Sequence, residues 1–147
     1  MRRARRFVSH AAAETAEAGR RLGARLEGGE VVLLFGPLGA GKTVFVRGLA
    51  QGMGLCGDDV HSPSYTLIDE HVGDLTLYHV DLYRLDAGSL PDLGLEELPG
   101  GKRVVAVEWA ELLERLGWHL GEEIVVEIDY RPGEDDARVI RVDKGEG

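Results

Sequence analysis

Two stretches of this chain are apolar without a break: Val31-Val32-Leu33-Leu34-Phe35 and Val104-Val105-Ala106-Val107. A strand covered on both faces reads this way, so both are expected as central parallel strands. Elsewhere the pattern is periodic. Residues 11–26 set Thr15, Ala18, Leu22 and Leu26 on one helical face, and Gly28-Gly29 closes that segment. Residues 42–53 repeat the spacing with Phe45, Val46, Leu49 and Met53. Leu90, Leu93, Leu95 and Leu98 predict a short helix within 88–98, and another is expected over 109–116. A short edge strand is expected at Phe7-Val8-Ser9. Residues 65–71 and 75–80 read as a hairpin turning at Val72-Gly73-Asp74. Residues 124–130 alternate apolar and polar and pair with 137–142 across Pro132-Gly133-Glu134-Asp135.

The octapeptide between the first apolar run and its helix changes the picture. Gly36-Pro37-Leu38-Gly39-Ala40-Gly41-Lys42-Thr43 matches G-x-x-x-x-G-K-[ST], the phosphate-binding P-loop, in the strand–loop–helix context it requires. The chain has 21 glycines, three lysines and eight Ser or Thr. Those frequencies give a chance match of roughly 0.3% before the flanking elements are demanded. Glycines free the loop backbone so that its amides can form a nest for phosphate oxygens, and the helix dipole adds to the attraction. Lys42 is expected on the β- and γ-phosphates and the Thr43 hydroxyl on magnesium, with Val44 completing the nucleotide-binding segment. The expected fold is a P-loop NTPase-like three-layer α/β/α domain spanning 1–147, with a mixed, partly parallel central sheet.

A P-loop needs a carboxylate at the end of a neighbouring strand. Two apolar runs close in an acid, at Asp81 and at Glu108, which puts both at the carboxyl edge where α/β folds bind ligands. Ser62-Pro63-Ser64-Tyr65-Thr66 offers hydroxyls at Ser62, Ser64 and Thr66 ahead of a strand, as segments that sense a γ-phosphate do; otherwise it is a plain turn. Trp109, directly after Glu108, and His79, two residues before Asp81, read first as packing residues. The net charge of −9 argues against a domain that binds nucleic acid through a basic surface of its own. The single cysteine, Cys56, precludes an internal disulfide and fits a reducing cytoplasm. No stretch approaches the length of a membrane span, and the basic start (Arg2, Arg3, Arg5, Arg6) is followed by no apolar core. The chain has no asparagine, so the Asn-Lys-x-Asp guanine reader is missing and adenine is favoured.

Four segments together carry a resemblance: the P-loop, Ser-Pro-Ser-Tyr-Thr-Leu (62–67), His-Val-Asp-Leu-Tyr-Arg-Leu (79–85) and Val-Glu-Trp-Ala-Glu (107–111). In order and spacing, over nearly the whole chain, they resemble the TsaE family, also called YjeE. The resemblance implies a bacterial ATPase needed for threonylcarbamoyladenosine next to the anticodon of tRNA. Such a protein acts with TsaB and TsaD, meets tRNA only through that complex, and does not itself transfer the threonylcarbamoyl group. By position, Lys42 would bind phosphate, Thr43 and Glu108 would hold Mg2+, Asp81 would serve the metal or attacking water, Trp109 would lie beside the site, and 62–66 would resemble a switch. Pro37, Val44 and Ser64 depart from the residues common in the family; Val44 removes one hydroxyl near the α-phosphate. The implied reaction is slow hydrolysis of ATP to ADP and phosphate. Arg84 is the nearest candidate for an arginine finger and equally a structural residue, so a partner could complete the site. Two alternatives stay open: a switch in which ATP binding is the working step, and a small-molecule kinase.

Overall fold

In the computed structural model, which describes residues 3–63 and 67–144, seven strands make one sheet. They are β1 (Arg3–Ser9), β2 (Glu30–Phe35), β3 (Ile68–His71), β4 (Thr76–Asp81), β5 (Arg103–Glu108), β6 (Glu122–Arg131) and β7 (Glu134–Lys144). Their order is β1-β7-β6-β2-β5-β4-β3. β4, β5, β2 and β6 run parallel; β3, β7 and β1 join antiparallel. The two uninterrupted apolar runs are the adjacent strands β2 and β5, as expected of strands buried on both sides.

The helices are α1 (Ala12–Gly23), α2 (Lys42–Gly52) and α3 (Glu111–Leu116). Alternate residues of the sheet face two separate cores. Val32, Leu34, Val104 and Ala106 pack with Leu22, Phe45 and Leu49 under α1 and α2. Val31, Leu33, Val105 and Val107 pack with Leu90, Leu95, Leu112 and Leu113 on the other side. Burying a Leu or Phe side chain of this kind contributes about 1.5–3 kcal/mol, which pins the P-loop between two filled layers.

α1 and α2 meet through glycine. A Cβ at Gly19 or Gly23 would collide with the carbonyl oxygens of Phe45 or Leu49, and one at Gly48 or Gly52 with those of Ala16 or Arg20. The helices therefore touch main chain to main chain, an approach only glycine allows.

Several boundaries differ from the sequence expectation. β1 extends back from Phe7 through Arg5 to Arg3, because ladder bonds need no apolar side chain; the exposed Arg5 and Arg6 on this edge strand also discourage further pairing. α1 stops at Gly23, and single i→i+3 bonds, Arg25 to Leu22 and Leu26 to Gly23, keep Leu26 in the core. The helix expected within 88–98 is instead two 3-10 segments, Ala87–Leu93 and Leu95–Glu97, since Pro91 removes a donor and Gly94 turns left-handed at φ 67°. The helix expected from Trp109 starts at Glu111, because Trp109 has φ 59°. The last hairpin turns at Pro132-Gly133 alone. The strand expected over 65–71 starts only at Ile68, because Leu67 is left-handed at φ 67°; residues 64–66 lie outside the described residues.

Candidate active site

β2 delivers the chain into the P-loop at Gly36. Its φ of 147°, and a Cβ that would strike the Ile128 carbonyl of β6, make glycine obligatory there. The Gly36 N–H donates to Glu111 Oε2 at 3.2 Å, tying the loop to the start of α3. Gly41, at φ 111°, turns the chain into α2. Leu38 stands 66% exposed at the tip, Ala40 is buried, and Val44 is half-buried on the first turn of α2.

Lys42 is buried. Its Nζ donates to the carbonyls of Gly36 at 2.6 Å and Pro37 at 2.9 Å, and lies 3.7 Å from the centroid of the Trp109 ring. Burial pushes the amine below the ordinary lysine range, while Glu108, Glu111 and Asp81 pull partly the other way. The left-handed backbone of Trp109 turns β5 toward α3 and leaves its ring stacked on Tyr83, with centroids 4.6 Å apart.

Leu77, His79 and Asp81 share one face of β4, as Val104, Ala106 and Glu108 do on β5, and that face looks toward α2. Thr43, at the head of α2, donates to both Glu108 oxygens at 3.0 and 2.9 Å. Glu108 Oε2 also bonds His79 Nε2, and both residues are buried. Asp81 is the register partner of Glu108. Its Oδ2 accepts from Ser62 Oγ at 3.0 Å and its Oδ1 from the Tyr83 N–H at 2.9 Å.

A cleft of about 580 Å³ brings Lys42, Thr43, Ser62, Asp81, Glu108 and Trp109 together, with exposed Arg84 on its rim. Ser64 and Thr66 lie outside the described residues. Leu67, just beyond them, donates its N–H to the Pro63 carbonyl at 2.9 Å, and its own carbonyl accepts from Asp81 N–H at 2.9 Å. The ends of this segment are thus pinned beside the cleft.

Residues 9–140 match the sequence model of the family described as threonylcarbamoyl adenosine biosynthesis protein TsaE. The chain belongs to the TsaE family. That family is involved in tRNA threonylcarbamoyladenosine biosynthesis. The chain is 46% identical to the tRNA threonylcarbamoyladenosine biosynthesis protein TsaE of Treponema pallidum over 107 residues, 72% of this chain and 78% of that protein. With the protein of the same name from Bacillus subtilis it shares 43% over 112 residues, 76% and 68% of the two chains. The crystal structure of Bacillus subtilis YdiB superposes with a TM-score of 0.76 at 32% identity, covering 98% of this chain and 87% of that one. These likenesses agree with the P-loop-like α/β fold expected from the sequence.

Sequence reasoning gives no site role to four side chains that bond the P-loop or Glu108, and reads His79 only as packing. His79 and Glu111 lie inside the motif segments, but their bonds to Glu108 and to Gly36 N–H carry no local signal. Tyr130 and Arg138 lie on the last hairpin, and their hydroxyl and guanidinium reach the Leu38 and Ala40 carbonyls.

Proposed function

We propose that this protein binds ATP at the P-loop cleft and hydrolyses it to ADP and phosphate in support of tRNA threonylcarbamoyladenosine synthesis, acting with TsaB and TsaD rather than transferring the threonylcarbamoyl group. The observation that carries this reading is the contact between Thr43 and Glu108, which joins the P-loop hydroxyl to a strand-end carboxylate next to Lys42. That pair also fits magnesium, a hard cation served by oxygen ligands. Magnesium characteristically takes one or two protein oxygens and fills its shell with phosphates and water. Magnesium bound there would neutralise charge across the β- and γ-phosphate oxygens.

The remaining roles belong to the protein. The loop amides and Lys42 Nζ bind phosphate oxygens, and Trp109 holds the amine from beneath. Glu108, fixed by Thr43 and His79, keeps its carboxylate toward the metal position. Asp81, held by Ser62 and the Tyr83 N–H, orients the attacking water. Arg84 is the one arginine lining this cleft among the described residues, and it is exposed. The reaction is therefore slow alone, and a partner that completes the site raises it by roughly 10³–10⁵-fold.

The test is phosphate release by the protein alone and with TsaB plus TsaD, against Lys42→Ala. Stimulation lost in the variant is the expected result. Unchanged weak activity in the presence of the pair would remove the partner assignment and leave a nucleotide binder. The exposed apolar rim at Leu38 and Tyr83 favours a second reading, in which ATP binding gates assembly and hydrolysis only resets it. Glu108→Gln separates the two: if the variant supports one round of modification while barely hydrolysing ATP, binding is the working step.

A further inference from the structure

The outer side of the P-loop is held by the last hairpin. Tyr130, near the end of β6, donates its hydroxyl to the Leu38 carbonyl at 2.8 Å. Arg138, its register partner on β7, donates from Nε to the Ala40 carbonyl at 3.2 Å. The guanidinium carbon lies 4.3 Å from the centroid of the Tyr130 ring, so the two side chains brace each other. The strand register breaks directly after Tyr130, the kind of irregularity that aims side chains toward a neighbouring site.

Peptide geometry gives these bonds a consequence. In a trans peptide the C=O and the following N–H point in opposite directions. A Leu38 carbonyl drawn outward to Tyr130 turns the Gly39 N–H inward. An Ala40 carbonyl drawn outward to Arg138 does the same for the Gly41 N–H. The fit around Gly39 is close, since a Cβ there would stand 3.0 Å from the Tyr130 hydroxyl. The Gly36 and Pro37 carbonyls, by contrast, turn to Lys42.

We propose that Tyr130 and Arg138 are positioning residues for phosphate binding: a clasp from the C-terminal hairpin that presets the Gly39 and Gly41 amides before nucleotide arrives. The inference rests on the nucleotide-binding reading above. Neither residue lines the main cleft; both act through the loop's carbonyls. Preorganisation of this kind raises affinity by removing the ordering cost from the binding step.

Tyr130→Phe is the sharpest variant, since it deletes one oxygen and no charge. Calorimetric titration with ADP and ATP should show binding about threefold to tenfold weaker, the worth of one ordering hydrogen bond. The melting temperature of the nucleotide-free protein should stay within about 2 °C of wild type. Arg138→Gln should weaken binding in the same direction, and the double variant further. Tyr78→Phe, which loses a hydroxyl bond to Glu70 away from the cleft, should bind as wild type. Affinity within twofold of wild type in Tyr130→Phe overturns the clasp, even if Arg138→Gln is weaker, because charge would then explain the arginine. A weaker Tyr130→Phe that also melts more than about 5 °C lower overturns it too, as a general loss of structure. If wild type binds neither nucleotide, the nucleotide-binding reading itself has failed.

Discussion

Asp81 and Glu108 end neighbouring strands as register partners, yet they are held differently. Glu108 sits between regular elements: Thr43 on α2 and His79 on β4. Asp81 takes its bonds from Ser62 and from the Tyr83 N–H, both in irregular chain. One carboxylate is fixed by the framework. The other is fixed by loops, one of which leads into the segment read as a switch. A group that must hold a metal in constant geometry gains from the first arrangement. A group that engages only when the site closes gains from the second.

The largest test of that contrast is Glu108→Gln, which keeps the shape and removes the charge. Hydrolysis should fall about 10²–10³-fold while ATP affinity stays within about threefold, read by phosphate release and calorimetry. Asp81→Asn should cost less, about 10- to 100-fold in the same assay. The reverse order would mean that the loop-held acid carries the metal. His79→Leu strips Glu108 of a framework partner and so makes it more like Asp81. Losing that hydrogen bond to a buried carboxylate should cost about 2 kcal/mol, a fall in melting temperature of roughly 4–8 °C by thermal scan.

The smallest effect concerns Lys42, whose charge faces both acids. Folding lowers its pKa, so the charged amine opposes folding below the folded value, and the opposition fades as pH rises through that value. Wild type should therefore gain in melting temperature relative to Lys42→Met as pH rises through that value, read by thermal scans toward alkaline pH, while the variant loses nucleotide binding.

Much of this was legible in the chain because it is local. A P-loop, the apolar runs of β2 and β5, and acids closing two strands are written in consecutive residues. Glu108 and Asp81 could be picked out because strand direction sends both to one edge. His79 read as packing, and it is indeed wholly buried, but its bond to Glu108 spans 29 residues. Tyr130 and Arg138 reach the loop across 92 and 98 residues, distances over which periodicity says nothing. The segment at 88–98 misled for another reason. Leucine spacing suits an α-helix and a 3-10 helix alike over so few residues, and Pro91 and Gly94 decide between them.

The glycine seam between α1 and α2 has a mechanical consequence. Side chains absorb a push by changing rotamer, and a main-chain contact has no rotamers to change. The two helices therefore behave as one lever. Gly19 meets the Phe45 carbonyl two residues past Thr43, so the exposed face of α1 that carries Arg20 and Arg21 is tied through backbone alone to the turn of α2 that carries the P-loop hydroxyl.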